Sequence, residues 1–453
     1  MNRRAPKNII GAIFIVLLLF LPAAAQLPSP TALSLQEAIE TALKENAKIS
    51  AARSRVEAAQ ERIVQARAGL FPQVEFSESY NRTTNPMWAF GTKLNQGIIQ
   101  TPDFNPDRLN NPDAVDNFAS TFSVSWSLYD RGQTWFGWHQ AKQGGAIASH
   151  MMERVRQHVI AQTVLVYAGL LLASENLDVV RQTLNTARVH LKMVQSRFKS
   201  GFTVKSDLLR AQVHIADLEQ QLLQSESRVA IVRAGLNTAM GVPIKNLYEL
   251  TSPLEAGDEI DPALERWIDT ALSERADYKQ LQSQEIIARQ EISKAKAGHF
   301  PAFNLIGNYE INSEDFSDQS ENYTLGAFLS LNLFSGRRLA AKHREAKITL
   351  REVTAVQRDL EQQIRLQTQQ AFLSAQSAWK RIRVARSAVA QAEEVLRIVR
   401  NRYNGGLLTI VELLDAEVVL QQARVNTLKA IHDYRTAVVH LHLAAGTIDE
   451  NFI

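Results

Sequence analysis

Two carboxylates near the end of the chain, Glu412 and Asp415, are the side chains whose type and spacing could do chemistry. They lie three residues apart in a stretch that is predicted to be helical, which places them on the same helix face. In a symmetric oligomer this face would be repeated around the axis, and carboxylates gathered at a narrow pore repel each other and attract cations. In such an oligomer the two carboxylates would form a ring of negative charge that attracts cations. A solvated charge on a coiled coil is the alternative.

The sequence carries no motif of a catalytic or metal site. It has no Gly-x-Ser-x-Gly, no phosphate-binding glycine loop and no His-Glu-x-x-His. It has no cysteine, which excludes disulfides and thiolate ligands. His440 and His442 are two residues apart on a predicted helix and therefore point to different faces. We expect neither an enzyme nor a bound metal or cofactor.

Residues 1–25 have the features of a secretory signal peptide. Three basic residues precede an apolar run from Ile9 to Leu21, and three alanines follow. Without those basic residues the chain has 50 − 3 = 47 basic and 47 acidic side chains, a balance that does not favour nucleic acid as a partner. After residue 25 no apolar run approaches the roughly 20 residues of a membrane helix. A membrane location would therefore require strands closed into a barrel.

The chain contains an internal repeat. Residues 35–72 match residues 264–301 at an offset of 264 − 35 = 229, and both segments end in Ala-Gly-x-Phe-Pro. Further along, Gly201 matches Gly406 at an offset of 406 − 201 = 205. The difference between the two offsets places a longer loop in the first copy. A duplicated fold with one extended loop is the simplest account of this constant spacing.

Each copy is predicted to run helix, strand, loop, strand, long helix, turn, long helix. The first helical part, at about residues 34–69, ends at a Gly-x-x-Pro stop, and residues 81–117 form a long outer loop. The first repeat is predicted at 26–241, with strands at about 73–83 and 119–129 and a helical hairpin at about 133–240. A linker at 242–261 leads to the second repeat at 262–446, with strands at about 302–312 and 322–334 and a hairpin at about 337–445. Residues 447–453 are predicted to be a tail.

The strands alternate apolar and polar residues over about ten positions, as transmembrane barrel strands do. A half-buried soluble hairpin has the same local pattern. Four strands cannot close a barrel that holds water, but three chains would supply 3 × 4 = 12 strands. Strand geometry therefore favours a homotrimer.

The helices that follow the strands are too long for an ordinary globular core. The helix from about Gln133 to Ser200 would extend roughly 100 Å at 1.5 Å per residue. Its partner helix shows an apolar seam that steps alternately by three and four residues, which indicates a coiled coil or a tube. The seam positions are Leu208, Ala211, Ile215, Leu218, Leu222, Ser225, Val229, Val232 and Leu236, and in the second copy Leu413, Ala416, Leu420, Ala423, Thr427, Ala430, Tyr434, Ala437 and Leu441.

Over essentially the whole mature chain, the pattern resembles the TolC family of outer-membrane efflux proteins. The resemblance is carried by the duplication, by the Gly-x-x-Pro entry to each first strand, and by paired turn motifs at residues 197–209 and 402–416. It implies an α+β membrane protein made mostly of long α-helical coiled-coil hairpins that form a periplasmic tunnel. Four transmembrane β-strands per protomer would contribute to a 12-stranded trimeric β-barrel in contact with outer-membrane lipid.

The same resemblance implies an exit duct of a tripartite efflux or type I secretion system. Cargo would pass from an inner-membrane pump of RND or ABC type, through a periplasmic adaptor (a membrane fusion protein), into the tunnel of the homotrimer.

By resemblance, Asp415 matches the acidic constriction of the family and Glu412 the neighbouring acidic position. Tyr403 and Asp207 match positions in the network that closes the tunnel, whereas Leu408 stands where the family has a gating arginine. The turns should dock the adaptor, although their glycines and the capping-box spacing of Thr409 also suit helix ends. The docking candidates are Arg197, Gly201, Ser206, Leu208, Arg402, Gly406, Thr409 and Leu413.

Two other classes of protein remain open. A periplasmic coiled-coil scaffold or adaptor without a pore would carry one hairpin flanked by globular β domains, not two copies that each follow amphipathic strands. A secreted enzyme with helical decoration would need a site, and the sequence offers none.

Overall fold

A computed structural model of the protein describes residues 31–452, and the predicted signal peptide lies outside this range. A 3-10 turn at Thr101–Phe104 joins two helices of the first hairpin loop. The elements are β1 (Thr31–Leu33), α1 (Leu35–Glu45), α2 (Ala47–Ala68), β2 (Gln73–Thr83), α3 (Pro86–Asn95), α4 (Pro106–Asn110), β3 (Val115–Tyr129), α5 (Gln133–Lys199), α6 (Lys205–Met240), β4 (Tyr248–Leu250), α7 (Leu264–Glu274), α8 (Ala276–Ala297), β5 (Ala302–Ser313), β6 (Ser320–Ser330), α9 (Arg338–Asn404) and α10 (Ile410–Ala445).

The internal repeat is present element by element. Helices α5 and α9 both have 67 residues, and α6 and α10 both have 36. Helices α1 and α7 both have 11 residues, and α2 and α8 both have 22. Even the left-handed bend before each long helix recurs, at Arg131 and Gly132 in the first copy and at Gly336 and Arg337 in the second. Apart from the longer β2–β3 loop, the two copies therefore repeat the same series of helices and strands.

The first helical part of each copy is broken, which the sequence did not predict. In place of one helix over about 34–69, α1 ends at Asn46, whose side-chain oxygen accepts from the Lys48 N–H and begins α2. The break lies against Gly241, where an added Cβ would be 2.6 Å from the Glu45 carbonyl oxygen. The Asn46 cap and the packing against the end of α6 together set this bend.

Strands β2, β3, β5 and β6 form one antiparallel sheet in that order. The strand predicted from 119 begins earlier, at Val115. The strand predicted to reach 334 ends at Ser330, because Ser330 pairs with Ala302, the first residue of β5, and the chain beyond has no partner strand. Strands β1 and β4 form a separate parallel pair, and β4 lies within the segment predicted to be a linker.

The sheet has one apolar and one polar face. Paired register brings aromatic residues into a row, with Phe122 opposite both Phe76 and Tyr309. The apolar face is exposed in the single chain, with Tyr323 75% and Leu325 78% exposed, whereas the other face carries Ser, Thr, Asn and Glu. The alternation predicted from the sequence is therefore confirmed, and an exposed apolar face of this kind favours contact with lipid or with another protein.

The helical part adjoins one end of the sheet. Helices α2, α5, α8 and α9 lie side by side in that order, and α6 and α10 pair with α5 and α9. All predicted seam positions on α6 and α10 are buried or half-buried, which confirms the two coiled coils.

One expectation about the helices is wrong. An 18-residue window of α5 has a mean hydropathy of 1.4, so this helix is long and apolar enough by composition to cross a membrane. Part of it is buried in the main core, around Ile160, Val164, Tyr167 and Leu170. Its apolar character is explained by that packing.

Candidate functional site

Each long hairpin reverses through a turn closed by a left-handed glycine. In the first turn Gly201 has φ +74°, its N–H donates to the Phe198 carbonyl at 3.1 Å, and the Phe202 N–H donates to the Arg197 carbonyl at 2.8 Å. This pattern satisfies carbonyls that the end of α5 leaves free. An L-residue is strained at such a φ, which explains the glycine.

The second turn has the same closure and a stronger start to its next helix. Gly406 has φ +73°, and the Leu407 N–H donates to the Arg402 carbonyl at 2.9 Å. Thr409 and Glu412 form the predicted capping box: the Thr409 N–H donates to Glu412 Oε2 at 3.1 Å, and the Thr409 hydroxyl binds the same carboxylate. Glu412 is exposed but bound to its own helix end.

The first turn has no capping box because Val204 occupies the position that matches Thr409. Instead, Thr203 Oγ1 donates to Asp207 Oδ2 at 2.6 Å. The Asp207 carboxylate lies in the first turn of α6, where the helix dipole favours negative charge. Asp207 therefore holds its turn in place as Glu412 holds the other.

Arg197 joins the two turns. Its guanidinium lies 4.7 Å from the centre of the Tyr403 ring, and its two terminal nitrogens donate to the carbonyls of Tyr403 and Asn404, each at 3.3 Å. Both carbonyls belong to the last turn of α9, where intrahelical partners are missing. The sequence predicted Arg197 only as a docking residue, whereas the structure shows it bridging the two hairpins.

Tyr403 is enclosed by this arrangement. The side chain is buried, and burial raises the pKa of its phenol. The nearby Arg197 acts in the opposite direction, and the negative charge of Asp207 adds to the increase. Tyr403, Asp207 and Arg197 therefore form one cluster at the tip. This cluster brings together Tyr403 and Asp207, the two residues predicted for the closing network.

Asp415 stands apart from that cluster. Its neighbours Leu413 and Ala416 are buried, so the Asp415 carboxylate points away from the core of the hairpin and is exposed. Within residues 31–452 it makes no side-chain hydrogen bond or ion pair. The carboxylate is thus available to another copy of the chain or to an ion.

The remaining docking candidates differ in exposure. Ser206 and Arg402 are exposed, and Leu208 is half-buried. Leu413 is fully buried, so it can influence docking only by holding the turn in shape. Two exposed apolar residues at the tips were not predicted from the sequence: Phe202 is 84% exposed and Leu407 is 77% exposed.

A buried pair between the two hairpins was also not predicted. His190 Nε2 on α5 lies 2.6 Å from Glu417 Oε1 on α10, and both side chains are buried. The corresponding residues of the other copy are Val395 and Gln212, so comparison of the repeats gives no signal of a pair. A groove of about 420 Å³ opens beside Glu417 and is lined by Glu393, Arg397, Arg400 and Arg424, among others.

In the part of the chain from 31 to 452, no group of three or more His, Cys, Asp or Glu side chains is placed to hold a metal ion. The features gathered at the tips are charges and exposed apolar residues on rigid turns. Such an arrangement can repel, attract or bind other molecules.

Comparison with known proteins agrees with this geometry. The sequence model of the outer membrane efflux protein family matches residues 38–242 and 267–447. The chain is 26% identical to the alkaline protease secretion protein AprF of Pseudomonas aeruginosa over 92% of this chain and 85% of the relative. It is 23% identical to the outer membrane protein TolC of Vibrio cholerae over 87% of this chain and 86% of that protein.

Solved structures share the fold. The CusC crystal structure superposes with a TM-score of 0.78 at 18% identity, covering 91% of this chain and 92% of CusC. The outer membrane protein VceC of Vibrio cholerae has a TM-score of 0.74 at 20% identity, covering 91% and 96%. With both repeats matched by the family model and the sheet and tunnel helices matched in space, the chain belongs to the outer membrane efflux protein family.

Proposed function

We propose that three copies of the protein form an exit duct through the outer membrane and the periplasm. The observation that carries this proposal is the four-stranded sheet with an exposed apolar face and two free edges, β2 and β6. In lipid, unpaired edge groups are costly, so the edges must pair with another chain. Pairing β6 of one copy with β2 of the next closes a barrel of 3 × 4 = 12 strands.

The helices support the same closure. Each strand adjoins one helix of the row α2, α5, α8 and α9, and the row again ends in two free flanks, α2 and α9. Three rows joined flank to flank would continue the barrel as a tube. We propose that residues 26–241 and 262–446 act as two equivalent repeats of this wall, joined by residues 242–261.

The tips would form the narrow inner end of the tube. We assign the constriction to Asp415 with Glu412 beside it, and the closing contacts to Asp207 and Tyr403, now with Arg197. The exposed part of the turns would dock a periplasmic adaptor. These turn residues are Arg197, Gly201, Ser206, Leu208, Arg402, Gly406 and Thr409.

The sequence has no phosphate-binding glycine loop, so an inner-membrane pump of RND or ABC type would supply the energy for transport. Relatives are named for secretion of alkaline protease and for export of pyoverdine. Both kinds of cargo are compatible with a passive tube, and we propose that the adaptor and pump select between them.

The constriction is tested by replacing Asp415 with Ala and recording the trimer in a planar bilayer. Removal of three carboxylates from one ring should lower the preference for cations over anions, because local negative charge concentrates cations. The charge-preserving Asp415→Glu variant should retain the preference. Asp217→Ala removes an exposed carboxylate from α6 and serves as a matched control. An unchanged ion preference in Asp415→Ala would remove Asp415 from the constriction.

The assembly is tested separately. A duct should be recovered from the outer-membrane fraction as a trimer that survives mild heating in detergent. A soluble periplasmic product would favour a coiled-coil scaffold without a pore.

A further inference from the structure

The loop between β2 and β3 folds back onto the sheet. Helix α3 lies in this loop, and its Ala89 is 1% exposed. The polar-face residues at the start of β3, Val115, Asn117 and Ala119, are buried, whereas their neighbours on the apolar face are not. At the far side of the loop, an added Cβ on Gly97 would lie 3.2 Å from Ser320 Oγ on β6. The loop therefore covers the polar face at the outer end of the strands.

A continuous line of side-chain amides attaches the loop to that face. Gln96 Nε2 donates to the Asp116 carbonyl at 2.7 Å and to Asn117 Oδ1 at 2.8 Å. Asn117 Nδ2 donates to Asn312 Oδ1 at 2.8 Å, and Asn312 Nδ2 donates to Glu310 Oε1 at 2.7 Å. Gln96, Asn117 and Asn312 are all buried, where unpaired amides are costly. These bonds therefore hold the loop on the sheet.

The loop is also stiff within itself. Lys93 Nζ lies 2.8 Å from Asp103 Oδ1, and both side chains are largely covered. The rings of Phe90 and Phe104 meet edge to face, with centroids 5.7 Å apart. An asparagine followed by proline begins each helix of the loop, α3 and α4. A segment with these contacts would move as one body when its attachment breaks.

We propose that residues 84–114 form a cap inside the outer mouth of the duct, and that the Gln96 amide controls how wide this mouth opens and hence the size of solute that can pass. The inference rests on the proposed function, because the polar face is the lumen only if the apolar face meets lipid. Three caps would then extend into one opening. Gln96 acts as a size-selecting residue at the end of the tube opposite Asp415.

The cap is tested by access to a cysteine in the lumen. The chain has no cysteine of its own, so Ser123→Cys introduces a single thiol on the polar face of β3, further down the strand than the cap. Intact cells are exposed to a small maleimide and to a much larger maleimide carrying polyethylene glycol. The large reagent can reach Ser123→Cys only through the outer mouth.

In the Ser123→Cys background the small maleimide should react and the large one should react slowly. Adding Gln96→Ala should speed the large reagent about tenfold, which corresponds to ~1.4 kcal/mol, about what loss of one or two hydrogen bonds should cost. Asn117→Ala, which removes the acceptor of the same bond, should do likewise. Asn95→Ala, at the exposed neighbouring position, should have no effect. All variants are first checked for heat-resistant trimers.

Equal rates for the large reagent with and without Gln96→Ala and Asn117→Ala, in trimers that assemble, would overturn the cap. Fast reaction of the large reagent in the Ser123→Cys protein itself would do the same. Failure of the duct is distinguishable from both. A second reporter, Leu325→Cys on the apolar face, should resist both reagents if that face meets lipid. Reaction of Leu325→Cys as fast as Ser123→Cys with the small reagent would instead contradict the barrel.

Discussion

Replacing Arg197 with Met should loosen the tip of the helical hairpins. The structure gives this arginine one cation–π contact, at 4.7 Å to the Tyr403 ring centre, and two hydrogen bonds of 3.3 Å to carbonyls at the end of α9. A partly exposed cation–π contact contributes about 1 kcal/mol. Long bonds from a half-exposed guanidinium together add roughly another 1 kcal/mol after solvent screening. The loss is therefore about 2 kcal/mol per protomer.

A change of about 2 kcal/mol corresponds to a roughly 30-fold shift between closed and open tips. Single-channel recording in a planar bilayer measures that shift as the fraction of time spent in the conducting state. Arg197→Lys keeps the positive charge but loses the planar fork, so it should give an intermediate value. Arg188→Met is the matched control, because Arg188 lies on the same helix and pairs only with the exposed Glu219.

A coupling measurement makes the prediction sharper. If Arg197 acts through Tyr403, then Arg197→Met combined with Tyr403→Leu should cost about 1 kcal/mol less than the sum of the two single changes. Stable trimers of Arg197→Met that open no more often than the unchanged protein would refute the reasoning. They would show that the bridge between the turns does not hold the tip closed.

Three further predictions concern the helical part. Gly241→Ala should abolish stable trimers, because its Cβ would lie 2.6 Å from a backbone oxygen, whereas Gly201→Ala, with the same kind of φ and open space, should cost only about 1–2 kcal/mol in thermal unfolding. His190→Leu should destabilise by roughly 3–5 kcal/mol because it leaves Glu417 buried and unpaired, and adding Glu417→Leu should restore most of the loss; equal stabilities of the single and double variants would contradict this. Burial lowers the pKa of His442, so on acidification this histidine is protonated in the unfolded chain before it is protonated in the folded protein. Stability should therefore fall as pH drops below about 6.5, the ordinary pKa of histidine. His442→Asn should flatten that part of the plot of melting temperature against pH.

Features with a local period could be predicted from the sequence. The alternation of the strands, the three-and-four spacing of the seams and the glycine closures at Gly201 and Gly406 all depend on residues near each other in the chain. The repeat strengthened each of these predictions by showing it twice. The capping box of Thr409 and Glu412 was predicted for the same reason, since both partners lie within one helical turn.

Contacts between residues far apart in the chain could not be predicted. Arg197 with Tyr403 and His190 with Glu417 each join residues more than 200 positions apart, and neither pair is repeated in the other copy. The break at Asn46 depends on a close approach by Gly241, and the inward fold of the β2–β3 loop depends on amides from two separate strands. The periodicity of a sequence shows which face of a helix or strand is apolar. It does not show which faces pack against each other, and that packing decides these contacts.

The equal lengths of the long helices have a consequence for engineering the tube. Helices α5 and α9 each have 67 residues and α6 and α10 each have 36, so both tips end at one level. If seven residues, about 10 Å of helix, were inserted into both helices of one hairpin alone, its tip would extend past the other tip and Arg197 would separate from Tyr403. The same insertion placed in all four helices should lengthen the duct with its tips still joined. The length of the duct across the periplasm can therefore change only when both hairpins are lengthened by the same amount.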